Sequence, residues 1–447
     1  MKILIVSNLY PPHYLGGYEL RCAEVAEALV KSGYEVKVLT SRYGCNSKGP
    51  RQENIGGVQV ERVLGQYMFG SQPPTSRPYF LGFVKPRLQD ARYFIQCLDQ
   101  FKPDVVNWWS FRGLAEVILP IPYKRHIPDL FCVDDTWVIE EWSRGHPDHQ
   151  YQWGSPWVSL WSKRNKPWYW RPILVWAMER WKKSLLREGI DVSSFLFNPT
   201  HVCFISEFLR HKFETAGLKF SSSEVIFGGI PVSSFLFYRE ELVVSTKPLR
   251  LLYVGQITKD RGIETVIESF NCLSKEILSQ VILTVVGEDP EFGSKYLQEL
   301  KLKVSNGQLS SNVTFLGKKI YQDLPEIYRA HDVLIAPTTL EEGFGRNLVE
   351  GMLSGCAVVT TGSGGTMDIA KPANLPLFTK GDRKSLAHIL EWLIRDRDAV
   401  RRIAKSGQAV ALEKFSFDSM MDKLCKTFTI LHNEAKRDFP PGNYTIG

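Results

Sequence analysis

A chain of 447 residues is long enough for two separately cored domains, and its apolar and charged fractions are those of a globular protein in water. No uninterrupted apolar run reaches the roughly 18 residues of a spanning helix, and Met1-Lys2-Ile3-Leu4-Ile5-Val6-Ser7 enters a strand pattern at once, without a signal peptide's long apolar region. Eight scattered cysteines with no CxxC pair argue against a zinc site or a disulfide framework and suit a reducing cytoplasm.

In chain order, Lys2–Asn8 reads as a buried strand, and Gly17–Ser32 has helical apolar spacing that stops at Gly33. Between them, Gly16 and Gly17 would let the backbone approach a phosphate at a helix start, though a plain tight turn explains the pair equally well. Glu35–Ser41 and Gly57–Leu64 are strand-like. Val105–Ser110, Asp129–Asp134 and His201–Ser206 add short apolar runs. At the end of one of these, Asp134 and Asp135 stand side by side before Thr136. They could hold a hydroxyl, or one could cap a helix; a metal wants more ligands than one such pair supplies.

Residues 151–190 carry eight Lys or Arg against Glu179 and Glu188, which is +6 of the chain's net +7, and seven of its twelve tryptophans. Tryptophan interleaved with cations fits a membrane interface, where rings sit at headgroup depth beside anionic lipid. A core or interdomain helix with a solvated charged face fits as well. Nucleic-acid binding is not indicated, because no recognised module accompanies the charge.

The second half repeats the alternation. Strands are predicted at Leu249–Gly255, Val281–Gly287, Val313–Gly317, Asp332–Pro337 and Ala357–Thr361, with helical stretches between them. Such alternation implies parallel sheets covered by helices. The break falls near 232–248, around Pro231 and Lys247-Pro248. The expectation is an α/β chain of two doubly wound, Rossmann-like domains, 1–240 and 248–412, with a cleft between them. A last helix over 413–433 would return toward the first domain, followed by a loose polar tail. Ligands of such sheets bind beyond the carboxyl ends of the strands.

Two stretches of this half could carry chemistry. In Val254–Gly262, Lys259 or Arg261 could neutralise a pyrophosphate, or the segment could be an exposed loop with solvated charges. In Glu341–Glu350, the carboxylates of Glu342 and Glu350 lie eight residues apart, with Phe344-Gly345-Arg346 between them. A helix starting near Gly345 would aim free N–H groups at an anion. Glu350 would sit about 7 Å along it and Glu342 in the loop before it. An anion cradle with a carboxylate on each side suits a sugar nucleotide; an ordinary acidic loop before an amphipathic helix is the alternative.

Together these stretches resemble glycosyltransferase family 4, retaining enzymes of the GT-B fold. The resemblance covers nearly the whole chain and is strongest from Leu249 to Thr361. The Glu342-to-Glu350 spacing looks like the family's paired-glutamate motif, Gly16-Gly17 like its glycine pair, and Arg261-Gly262 like its basic-Gly step. Phe415-Ser416-Phe417 is similar to the start of its final helix. The resemblance implies that Glu342 faces the transferred sugar and that Glu350 holds ribose hydroxyls. Amides near Phe344, Gly345, Arg346, Gly16 and Gly17 would bind sugar and phosphate oxygens. Arg261 would offset the leaving diphosphate, and Glu288 would lie near the nucleotide base and ribose edge. Two positions depart from the pattern: Gln256 stands where the family commonly has Arg, and Asp134-Asp135 where it commonly has His-Asp. The implied activity is transfer of a hexose from a nucleoside-diphosphate sugar to a sugar or lipid-linked acceptor, in polysaccharide or glycolipid synthesis, with no cofactor or metal expected; the expected location is the cytoplasm, or the inner membrane face if 151–190 meets lipid. A catalytically inactive binding protein on the same fold, or a sugar-nucleotide epimerase, are the alternatives.

Overall fold

A computed structural model describes residues 1–14, 16–45, 52–66, 85–136, 139, 171–190, 199–218, 220, 222–238, 248–289, 295–307 and 309–438. The chain forms two compact units. The first comprises Met1–Phe204, Phe213–Glu224 and the chain from Leu424 on; the second comprises Ile205–Lys212 and Val225–Lys423.

The first unit is built on β1 (Lys2–Ser7), β2 (Glu35–Ser41), β3 (Gln52–Ile55), β4 (Val58–Leu64), β5 (Val105–Trp108), β6 (Asp129–Val133), β7 (His201–Phe204) and β8 (Ser223–Val225). They lie in the order β3-β4-β2-β1-β5-β6-β7-β8. β1 pairs parallel with both β2 and β5, which places the start of the chain at the point where strand order reverses. The apolar run Ile3–Val6 is wholly buried, as expected of a parallel strand covered on both faces. The helix after β1, Gly17–Lys31, buries Cys22, Val25, Ala26 and Leu29, the i, i+3, i+4, i+7 stripe of its sequence.

Two short strands escape the sequence pattern. β3 pairs antiparallel with β4 through Gly56-Gly57, whose φ angles of 59° and 86° suit the two central residues of a tight hairpin turn. Three of its residues, Gln-Glu-Asn, are polar and only Ile55 is apolar, all at least partly exposed, so no apolar alternation marks them. β8 is only three residues long. The other predicted strands differ from the observed ones by two residues or fewer at their ends. Of the basic, tryptophan-rich segment, 151–170 lie outside the described residues, and Arg171–Arg187 is a helix.

The second unit is a sheet of β9 (Leu249–Val254), β10 (Val281–Val286), β11 (Val313–Gly317), β12 (Val333–Ala336) and β13 (Ala357–Thr360) in the order β11-β10-β9-β12-β13. All of its pairings are parallel. The order reverses between β9 and β12, so the loops leaving these two strands diverge and open a crevice at their carboxyl ends. The opposite ends are fixed by Arg250, whose Nε and Nη2 donate to the two Asp332 carboxylate oxygens at 3.0 and 2.7 Å. β12 and β13 are buried at every position. Among the described residues, no helix is long and apolar enough to cross a membrane.

Candidate functional site

The crevice of the second sheet is lined from β9 and β12. The loop after β12 runs from Pro337 to Gly345 and feeds the Arg346–Leu353 helix. Gly345, at φ 99°, is the N-cap of that helix, and no side chain caps it, so the first N–H groups take no side-chain acceptor from the cap position. Asn347 ties the helix to the neighbouring strand, donating to the Val254 carbonyl at 3.1 Å. The loop's backbone is pinned to the turn after β13: Gly365 N–H donates to the Glu342 carbonyl at 2.7 Å. That approach needs glycine, since a Cβ on Gly364 would lie 2.5 Å from the Glu342 oxygen and one on Gly365 2.1 Å from the Gly343 oxygen. The Ser363-Gly364-Gly365-Thr366 turn, a strand-to-helix glycine pair, was a readable signal of this wall of the site.

Glu342 and Arg261 are brought together. The Arg261 guanidinium makes an ion pair with Glu342 Oε1, and the Thr338 hydroxyl donates to the same oxygen at 3.3 Å. Both partners keep part of their side chains in solvent. The predicted phosphate cation is thus already held by the predicted sugar-facing carboxylate. Next to them, Glu341 pairs with Lys212, which holds the Glu341 carboxyl below its usual range.

Glu350 lies on the Arg346–Leu353 helix and is buried. Arg346 Nε donates to its Oε1 at 2.9 Å and Tyr328 Oη to its Oε2 at 3.0 Å. Burial, with the Glu350 charge close by, keeps the Tyr328 phenol protonated far beyond its ordinary range. Arg346 in turn lies over the Tyr321 ring, 4.9 Å from its centroid. The predicted pair of glutamates is therefore one carboxylate in the loop and one on the buried side of the helix, each already bound to an arginine.

The remaining second-unit residues sit on the same strand ends. Gln256 has an exposed side chain, and its carbonyl accepts from Tyr253 Oη at 2.6 Å. Glu288 follows β10. Its carbonyl accepts from Ile257 N–H at 2.9 Å, and its carboxylate pairs with Lys318 at 2.6 Å. Phe344 is buried.

In the first unit, Gly16 is extended (φ −161°) and its N–H donates to the Glu19 carboxylate at 3.0 Å, so the helix supplies its own acceptor there. A Cβ on Gly16 would meet nothing within 4 Å, so the local fold does not itself demand glycine. Asp134, just beyond β6, makes a buried ion pair with Arg21, and the Arg21 guanidinium lies 5.1 Å from the Trp109 ring centroid. Burial opposes the Arg21 charge, yet Asp134 beside it holds the guanidinium protonated more firmly than usual. The Tyr18 hydroxyl donates to the Cys132 carbonyl, so the first helix and the end of β6 are locked together. Asp135 is the more exposed of the two acids, with Arg112 at 3.8 Å. Sequence reasoning missed Arg21, Arg112, Thr338, Tyr321 and Tyr328, which no local motif marks.

Two mostly parallel sheets, with acidic and basic side chains gathered at strand ends, define an α/β protein of two units. Two family models match consecutive parts of the chain: Glycosyltransferase Family 4 over 15–234 and Glycosyl transferases group 1 over 234–410. An uncharacterized glycosyltransferase of Methanocaldococcus jannaschii is 25% identical over 446 residues, spanning 96% of this chain and 98% of that protein. A capsular polysaccharide biosynthesis glycosyltransferase of Staphylococcus aureus, CapM, is 26% identical over 257 residues, 54% of this chain and 64% of its own. Among solved structures, Anabaena HepE in complex with UDP-glucose superposes with a TM-score of 0.65 at 20% identity, over 96% of this chain and 100% of that one. The chain belongs to glycosyltransferase family 4 and has the GT-B fold.

Proposed function

We propose that the protein transfers a hexose from a nucleoside-diphosphate sugar to an acceptor hydroxyl with retention of anomeric configuration, in the assembly of a polysaccharide or glycolipid. The observation that carries this reading is the Arg261–Glu342 pair, set at the strand-order reversal of the second sheet before an uncapped helix N-terminus. Sequence similarity to CapM supports the polysaccharide class, and the fold shared with HepE makes UDP-glucose the first donor to test.

In this reaction the bond from the anomeric carbon to the diphosphate oxygen breaks and a bond to the acceptor oxygen forms. The transition state resembles an oxocarbenium ion, so negative charge grows on the leaving diphosphate. Arg261 and the N–H groups around Phe344, Gly345 and Arg346 would stabilise that charge, and Glu342 would face the cationic sugar. The acceptor proton passes to the departing diphosphate. Gly16, Gly17, Gln256 and Glu288 would complete donor contacts, and Asp135 is the first-unit acid better placed to accept from a hydroxyl. Incubation with a panel of nucleoside-diphosphate sugars, read as release of nucleoside diphosphate, should give turnover with a uridine donor. Binding of donors without any release, with or without acceptors, would reject the transferase reading in favour of an inactive binding protein. Conversion of the donor without acceptor would point to an epimerase.

Glu350 would hold ribose hydroxyls. Its two oxygens offer about four acceptor positions, of which Arg346 and Tyr328 use two. Glu350→Ala should weaken nucleoside-diphosphate binding about tenfold or more, since hydrogen bonds to a charged group are worth about 1.5–3 kcal/mol. Unchanged affinity by calorimetry counts against the assignment.

Contact with a membrane surface through 151–190 remains part of this reading. Its support among the described residues is the exposed Trp176 with the Arg180 guanidinium 5.6 Å from its ring centroid. The protein should float with liposomes rich in anionic lipid and not with neutral ones. Recovery in the pellet fraction with both would reject the contact.

A further inference from the structure

The outer edge of the first sheet carries a cluster that the transfer reaction does not use. His201 and Cys203 are two residues apart on β7, so both side chains leave the same face. Glu224 comes from β8 beside it. The imidazole, the thiol and the carboxylate place one ligand atom each within 4.8 Å of one another. His201 Nε2 is 3.1 Å and Cys203 Sγ 3.8 Å from the same oxygen, Glu224 Oε1. A tetrahedral zinc ion with nitrogen, oxygen and sulfur at about 2.0–2.3 Å sets those ligand atoms roughly 3.3–3.6 Å apart. The two contacts to Glu224 Oε1 are thus within a few tenths of an ångström of such a shell, and the imidazole and thiol, held within 4.8 Å, would close by up to about 1.3 Å to surround an ion.

The hydrogen-bond arithmetic points the same way. His201, Cys203 and the Thr427 hydroxyl all converge on Glu224 Oε1, an oxygen with two lone pairs. A cation that takes the place of the thiol and imidazole protons relieves that crowding and leaves Thr427 as donor to the bound carboxylate. The other ring nitrogen, His201 Nδ1, is 2.6 Å from Ser222 Oγ. When Nδ1–H donates to that hydroxyl, the Nε2 lone pair is aimed at the cluster, which is how metal-binding imidazoles are usually oriented. Cys203 is buried and Glu224 partly exposed, so the cluster has both a dry thiolate side and a route to solvent.

We propose that His201, Cys203 and Glu224 bind one divalent cation, Zn²⁺ by ligand preference, with water as the fourth ligand. The ion would tie β7 and β8 to the Phe417–Asp438 helix through Thr427. The test uses the untagged, full-length protein stripped with a chelator and titrated with Co²⁺, then Zn²⁺. One equivalent of Co²⁺ should raise a thiolate-to-cobalt charge-transfer band that Zn²⁺ abolishes, and the unfolding temperature should rise with free Zn²⁺. Cys203→Ser should remove the band with the far-ultraviolet dichroism unchanged. Cys132→Ser, at the residue registered with Cys203 on the neighbouring strand, should keep it. His201→Gln should weaken Co²⁺ binding at least tenfold, and it serves as the test if Cys203→Ser does not fold. No stoichiometric binding, a band that survives Cys203→Ser, or unchanged Co²⁺ affinity in His201→Gln overturns the proposal.

Discussion

Glu342→Gln is expected to cut nucleoside-diphosphate release by about 10²–10³-fold, the usual cost of removing one preorganised charged or polar group from a transition state. Folding should be nearly unaffected. The loop that carries Glu342 is held by its backbone, through the Gly365 N–H and the bridge to Gly364, rather than by the carboxylate. The ion pair to Arg261 is partly solvent-exposed, and pairs of that kind contribute about 1 kcal/mol or less to stability. The glutamine keeps the shape and can still accept from Thr338, but it no longer presents a negative charge to a developing sugar cation. Wild-type turnover in this variant would sink the assignment. So would a loss of turnover that tracks a loss of folded protein.

Asp134→Ala should instead act on stability. It takes the paired carboxylate from the Arg21 guanidinium in the interior, where the two side chains are only 5% and 8% exposed, and removing one partner of a buried pair costs about 3–5 kcal/mol. Denaturant unfolding followed through tryptophan fluorescence would report it, since Arg21 also covers Trp109. The double change Arg21→Met with Asp134→Leu removes both charges and should recover most of the loss. Asp135→Asn should cost clearly less than Asp134→Ala, because the Asp135 side chain is 40% exposed and its ion pair with Arg112, at 3.8 Å, is screened by solvent. If Asp134→Ala unfolds at the wild-type midpoint, the pair does not hold the end of β6. The contrast matters for chemistry, because an acid committed to Arg21 has little freedom to meet a substrate.

The parallel strands were legible because burial on both faces writes them as short apolar runs, as in Ile3–Val6 and Val333–Ala336. The Glu342-to-Glu350 stretch was legible because loop and helix are contiguous and a glycine separates them. Contacts between distant segments were not. Arg21 with Asp134 joins a helix to a strand end 113 residues away, and Arg261 with Glu342 spans 81. Arg261 stands out locally beside Gly262 while Arg21 does not, and nothing in either local sequence names the acid that the arginine meets. β3 has a single apolar residue, Ile55, and the turn at Gly56-Gly57 reads from sequence instead as the start of the next strand. The cysteine pattern gave no metal motif because His201 and Cys203 meet Glu224 only through strand pairing.

The Arg261–Glu342 pair also bears on how a reaction cycle would turn over. A diphosphate bound to Arg261 in the proposed reaction would share with Glu342 a guanidinium of which only Nη1 is engaged by that carboxylate, so part of the cation's charge would already be offset by an internal competitor that never leaves the protein. The same competitor would favour departure of the spent diphosphate, since Glu342 would keep hold of the arginine as the product goes. In the interval the diphosphate would draw charge from the shared cation, and Glu342 would be least neutralised while the sugar is bound. One contact would thereby couple admission of the donor, availability of the carboxylate and clearance of the product.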